Sequence, residues 1–213
     1  MSNSITRKFM TVAGIASVAA LAGAGMAGAS TTITPAGEEV TATSSALTIT
    51  TDTANSLICY STSGSGSIPD APDNHNPDPG GIDIDIDGVT LNNCLLDGAA
   101  AATVTTSGTW QLTANGDNYD PATGEGSEGA LFIPAGGATV TAPNCTITVS
   151  EASTVGTLPY DNATSSVTAN NTGTIWYESS GGASYCPPAT NGTPAPATLS
   201  GTLSFSDGVQ VTA

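Results

Sequence analysis

Ile82-Asp83-Ile84-Asp85-Ile86-Asp87-Gly88-Val89 alternates an isoleucine with a carboxylate at every step until the glycine. A period of two belongs to a half-buried strand, with the isoleucines on one face and the aspartates on the other. The same letters, D-x-D-x-D-G, also open a calcium loop, in which carboxylates at positions 1, 3 and 5 wrap the ion and the glycine turns the chain. Here position 12 is Cys94, where a bidentate glutamate is wanted. In an extended strand Asp83 and Asp87 stand about 13–14 Å apart, whereas calcium–oxygen bonds span about 2.3–2.6 Å. One ion cannot readily collect all three. The strand is therefore the favoured reading, and Asp83, Asp85 and Asp87 are kept as weak calcium candidates.

Segments of similar character lie on both sides. Thr48–Thr50, Ser56–Ile58, Ala102–Thr106, Thr109–Ala114, Ala138–Ala142, Thr146–Ser150, Thr174–Glu178 and Leu199–Phe205 are short and rich in β-branched residues, and clusters of Gly, Pro, Asn and Asp separate them. That spacing predicts an all-β, Ig-like antiparallel sandwich rather than βαβ units. Residues 69–81, 115–129 and 187–196 read as loops. The second of these carries Asp117, Asn118, Asp120, Glu125 and Glu128, oxygen ligands in an order that matches no named ion loop. Asp117 and Asp120 join the weak calcium candidates, with solvated turn residues as the plainer reading.

Charge excludes more than it identifies. The 213 residues carry 18 acidic side chains and two basic ones, for a formal net charge of −16. Both cations, Arg7 and Lys8, precede an apolar Ala/Gly-rich run, Val12 to Met26, and the small-x-small pattern Ala27-Gly28-Ala29. This is the grammar of a secretory signal cleaved before Ser30, leaving a mature chain of charge −18. Without Lys or Arg it has no side-chain ion pair to form and no cation for a phosphate or a nucleic-acid backbone. The reading is thus residues 1–29 as signal peptide and residues 30–213 as one secreted β domain, with no membrane span in the mature form and no nucleic-acid partner.

Cys59, Cys94, Cys145 and Cys186 all fall in the mature part, contain no C-x-x-C, and suit an oxidising compartment better than a zinc site. Four cysteines allow three pairings. Cys59–Cys94 with Cys145–Cys186 is preferred because each would close one half of the chain. A weak echo supports two halves, about 30–135 and 136–213. Val89-Thr90-Leu91-Asn92-Asn93-Cys94 and Val140-Thr141-Ala142-Pro143-Asn144-Cys145 share V-T-x-x-N-C, and Ser107-Gly108-Thr109 is matched by Ser200-Gly201-Thr202.

The leader ending in Ala27-Gly28-Ala29, the opening Ile33-Thr34-Pro35-Ala36-Gly37, the two V-T-x-x-N-C segments and the S-G-T-W string together resemble small, uncharacterised secreted proteins of high-GC Gram-positive bacteria. The resemblance implies an extracellular β-sandwich and carries over no catalytic residue.

Among the aromatics, Trp110 shares its strand face with Leu112 and reads as core. Trp176 would share its face with Thr174 and Glu178, where an exposed ring can stack on a sugar. It is the weak ligand-binding candidate. His75 lies in a Pro/Asp/Asn loop, and G-x-S-x-G does not occur. The expected function is a non-catalytic secreted or cell-envelope interaction protein, its partner an envelope protein or a glycan, with no cofactor beyond the calcium candidates. The rival readings are a carbohydrate-binding module working through exposed aromatics, and a hydrolase built on a carboxylate pair.

Overall fold

The computed structural model describes residues 30–53, 55–190, 193–206 and 208–213; the expected leader, residues 1–29, lies outside them. The described residues form strands and turns. In chain order the strands are β1 (Thr31–Thr34), β2 (Glu39–Ser44), β3 (Leu47–Thr51), β4 (Ser56–Ser67), β5 (His75–Asn76), β6 (Ile82–Leu96), β7 (Ala100–Thr106) and β8 (Trp110–Asn115). There follow β9 (Glu128–Ile133), β10 (Ala138–Ala142), β11 (Cys145–Val149), β12 (Ser153–Asp161), β13 (Ser166–Ile175), β14 (Tyr177–Gly181), β15 (Ala195–Phe205) and β16 (Gln210–Thr212).

β6 organises the molecule. Ile82, Ile84 and Ile86 are buried while Asp83, Asp85 and Asp87 are exposed, as the alternation requires. Full burial of each isoleucine side chain is worth roughly 1.5–3 kcal/mol. One edge of β6 meets β8, with Asp83 opposite Thr113 and Asp85 opposite Gln111. The other edge meets β4 from Leu57 to Gly66. From β8 the hydrogen-bonded order runs to β9, β12, β13 and β15. β15 then pairs with β3 through Ala197–Gly201 and with β2 through Ser204 and Phe205, and both of those pair with β4.

These pairings close a ring. β2 and β3 share one position in it, broken at Ser45-Ala46, so the wall has eight positions, all antiparallel. The architecture is a disulfide-bonded all-β sandwich with barrel-like closure. Around the ring successive strands pair as a meander, and Greek-key crossings of the immunoglobulin type are not among the pairings of the described residues. The ring draws strands from both 30–135 and 136–213. Eight positions enclose a space that side chains can fill, and Val40, Ile84, Leu112, Leu131, Leu158, Val167 and Leu199 are all buried there.

Closure at the β4–β6 seam depends on glycine. A Cβ on Gly66 would stand 2.5 Å from the Asp85 carbonyl oxygen, and one on Gly64 would stand 2.8 Å from Ile86 Cγ2. Real Cβ atoms do not approach so closely, so Gly64 and Gly66 let two backbones come together where the wall joins.

Two additions complete the fold. β7, β10, β11 and β14 extend from the C-terminal half of β6 as a side sheet in the order β14-β11-β10-β7-β6. At the opposite end β16, β1 and β5 form a small sheet that brings Thr32 opposite both Thr212 and His75. Ile33, Val209 and Val211 of that cap are buried. Asn162 fastens it: its side-chain amide donates to the Val211 carbonyl at 2.8 Å and accepts from the Val211 amide at 2.7 Å, a side chain serving as a strand neighbour.

Both disulfides occur as expected. Cys59 and Cys94 are register partners on β4 and β6 with Cα atoms 4.0 Å apart, and Cys145 joins Cys186 across 5.5 Å. Both separations are below the roughly 7 Å limit for bridging. The echo acquires a backbone meaning, since Asn93 and Asn144, each preceding its cysteine, have φ of 53° and 55°. Asparagine tolerates that left-handed region better than most residues. The settings differ: Asn93 lies within β6, whereas Asn144 turns the β10–β11 hairpin after Pro143.

Candidate functional site

Carboxylates in this protein find hydroxyls and amides where other proteins offer them cations. Asp83 accepts a hydrogen bond from Thr113 Oγ1 at 2.5 Å, Asp85 from Gln111 Nε2 at 2.9 Å, and Asp87 from Thr109 Oγ1 at 3.3 Å. The aspartate row of β6 thus lies against a parallel polar row contributed by β8. The register dictates it, because cross-strand neighbours on one face stand about 4.5–5.5 Å apart.

Asp117 and Asp120 lie elsewhere. Asp117 Oδ2 accepts from the Gly80 amide at 2.9 Å and so ties two loops together, while its Oδ1 is buried without a hydrogen-bond partner. Asp120 caps its own turn through the Ala122 amide and the Thr123 hydroxyl. Among the described residues no three of His, Cys, Asp and Glu gather as would be needed to hold a metal ion. Asp83, Asp85 and Asp87 are spread along a strand, and Asp117 and Asp120 face separate partners.

The aromatic candidates separate as follows. Trp110 is core, 5% exposed, with its indole Nε1 donating to the Gly137 carbonyl at 3.1 Å. Trp176 is half-buried in the joint between β13 and β14. Its amide donates to Ser153 Oγ and its carbonyl accepts from the Ser150 amide. Flanking Ile175 and Tyr177 are buried. Burial pushes the Tyr177 hydroxyl above its usual range, with Asp52 adding to the effect. Tyr60, 50% exposed, is the one large hydrophobic side chain classed as exposed among the described residues. His75 is exposed, its Nδ1 2.8 Å from Thr32 Oγ1.

The outer walls carry hydroxyls in register. Ser204, Thr43, Ser63 and Thr90 stand opposite one another in turn across β15, β2, β4 and β6, and Ser63 and Thr90 hydrogen-bond at 2.8 Å. On the side sheet, Thr103, Thr141, Thr146 and Ser180 form a second row across β7, β10, β11 and β14. Below the wall, a polar groove of about 750 Å³ opens beside the β12–β13 turn, and Tyr119, Glu125, Glu128, Asp161, Asn162 and Gln210 line it. The Thr164 hydroxyl, followed by the Ala163 amide, holds the Asp161 carboxyl below the usual carboxylate range. Burial pushes the neighbouring Tyr160 hydroxyl up to about 12 while it donates to the Val209 carbonyl at 2.7 Å.

The interior holds two small apolar chambers that share Trp110 as a wall. One, of about 80 Å³, lies between ring and side sheet, and the other, of about 40 Å³, lies inside the ring. Thr62 lines the smaller chamber, is 7% exposed, and its Oγ1 is buried with no hydrogen-bond partner. Sequence reasoning passed over Thr62, because it sits in a Ser/Gly-rich run that gives no sign of which side chains turn inward.

No family model matches this chain, and neither does any curated protein or solved structure.

Proposed function

We propose that the protein is a non-catalytic secreted or cell-envelope interaction module, whose hydroxyl- and carboxylate-bearing outer wall contacts an envelope protein or a glycan. The observation that carries this reading is the outer face itself. Registered rows of Ser and Thr run across several strands, next to an aspartate row held in place by Thr113, Gln111 and Thr109. Such a face offers many hydrogen-bond donors and acceptors on rigid strands and suits a polyhydroxylated or polar partner. The ring and two disulfides supply durability in an oxidising setting, and among the described residues no helix is long and apolar enough to cross a membrane. A secretory leader and kinship with small secreted bacterial proteins belong to the same proposal.

The test joins a glycan array to affinity capture from the producing organism's envelope, using residues 30–213 as bait. A specific glycan or envelope protein should be retained, and replacing Thr43, Ser63 and Thr90 together by valine should lose it. Retention unaltered by that triple replacement would overturn the outer-wall assignment. Turnover of a captured glycan would overturn the non-catalytic reading.

A further inference from the structure

The two disulfides stand in opposite surroundings. Cys59 and Cys94 are 1% and 3% exposed, lie in the main core, and join strands whose ladder continues on both sides of them. That ladder holds β4 against β6 whether or not the sulfurs are bonded. Cys145 is buried at the start of β11, but its partner Cys186 is half-buried in residues 182–190, which belong to no strand. This strap leaves β14 at Gly181, where φ is 140°, and runs back alongside it. The Thr190 amide donates to the Tyr177 carbonyl at 3.1 Å, the Tyr177 amide to Thr190 Oγ1 at 3.2 Å, and Ser179 Oγ to the Pro187 carbonyl at 2.6 Å. β14 is the last strand of the side sheet, so the strap occupies the edge where a further strand would pair. Tyr185 and Cys186 also pack on the small cluster of Leu96, Ala142 and Cys145.

We propose that Cys145–Cys186 is a redox-operated clasp, opened by a dithiol while Cys59–Cys94 stays closed, and that its opening frees the strap from β14. Exchange needs an incoming thiolate to reach a disulfide sulfur, so access selects the bridge, and exposed bridges are the labile ones. The thiolate attacks Cys186 Sγ, the more accessible of the pair. The bond to Cys145 breaks as the new S–S bond forms, and Cys145 leaves as a thiolate that takes up a proton. The second thiol of the reductant then attacks its own sulfur in the mixed disulfide, and Cys186 departs and is protonated. Two electrons and two protons thus pass to the cysteines, and the dithiol ends as a disulfide. Without the bridge Cys186 is no longer anchored to β11, and a segment outside any strand ladder opens at low free energy. Its departure leaves the backbone edge of β14 unpaired. The clasp is independent of the outer-wall reading, because it needs neither the hydroxyl rows nor the aspartates.

Oxidised protein, residues 30–213, is treated with graded dithiothreitol in native buffer, and the thiols released are trapped with iodoacetamide. Peptide mass spectrometry should find Cys145 and Cys186 alkylated at least about tenfold faster than Cys59 and Cys94. Amide hydrogen exchange of the singly reduced protein should quicken in β11, β14 and residues 182–190, with β8, β9 and β12 unchanged. Reoxidation should restore the original pattern. Cys145→Ser/Cys186→Ser should show the quickened pattern without reductant, and the same dithiothreitol should then change nothing. Equal or faster reduction of Cys59–Cys94 would overturn the proposal, as would unchanged exchange in residues 182–190 after Cys145–Cys186 has opened. Loss of protection throughout the ring would overturn it too, since the bridge would then be a staple of the whole fold.

Discussion

At the scale of single residues, the chain accommodates its carboxylates without cations. Hydrogen bonds to an ionised acceptor are stronger than neutral ones, and Thr113, Gln111 and Thr109 provide them to Asp83, Asp85 and Asp87 in turn along one seam. Because those donors occupy the aspartates in place, calcium should have little to offer there. Melting in calcium and in magnesium at matched ionic strength should give midpoints within about 1 °C of each other, and Asp85→Asn should leave that equality intact. A lift of several degrees by calcium alone, abolished by Asp85→Asn, would convert the strand into an ion site. Tyr160 gives a second test. Its hydroxyl pKa is raised to about 12 in the fold from the ordinary tyrosine value of about 10. Below pH 10 the phenol is neutral in both states. Between pH 10 and 12 the unfolded chain ionises first, so the stability this group contributes falls as pH rises through that window. Spectrophotometric titration should show a tyrosine ionising near pH 12, and Tyr160→Phe should remove that step and lessen the fall in stability between pH 10 and 12, while Tyr177, whose hydroxyl is also raised, still ionises late.

At the scale of elements, backbone approach and covalent ties decide what the strands do. Gly66 faces the Asp85 carbonyl across the β4–β6 seam with no room for a side chain. Gly66→Val should destabilise by about 3 kcal/mol in denaturant titration, since overpacking typically costs 1–3 kcal/mol and backbone must move here. Ser65→Ala, one residue away and exposed, should stay within about 0.5 kcal/mol. The Cys145–Cys186 bridge spans 41 residues and pins the segment that Pro187 and Thr190 hold against β14. On the chain-entropy model such a loop is worth about 4 kcal/mol. The double replacement Cys145→Ser/Cys186→Ser should lose up to that amount. Its faster hydrogen exchange should be confined to β11, β14 and the adjoining loop, with β8, β9 and β12 unchanged. Uniform loss of protection would mean that ring and side sheet unfold as one unit.

At the scale of the whole molecule, repulsion among 18 acidic side chains opposes compaction, with Arg7 and Lys8 both in the expected leader. Screening acts over a Debye length of about 8–10 Å at physiological salt. For residues 30–213, Tm should climb gradually from low salt to about 0.5 M sodium chloride without an early plateau. A flat or falling curve would show that the hydroxyl and amide partners already neutralise the problem locally. The fold counters repulsion with a large core through ring and cap and a second small cluster of Leu96, Ala142 and Cys145 in the side sheet.

β6 was legible in the sequence because a period-two alternation of isoleucine and aspartate is compatible with a single two-faced strand. The disulfide pairing was legible because each bridge closes one half, and the core position of Trp110 because Leu112 shares its face. β9, β12 and most of β13 were not. Gly129, Gly156 and Pro159 interrupt them, and Asn170-Asn171-Thr172-Gly173 looks like a turn until β15 pairs with all ten residues of β13. Local composition thus determined that the protein is β, acidic and cross-linked. Only the tertiary structure decided that the wall closes, that Thr62 turns inward, and that an asparagine side chain holds the last strand. Closure, inward facing and capping all depend on contacts between residues far apart in the chain, and no local period records them.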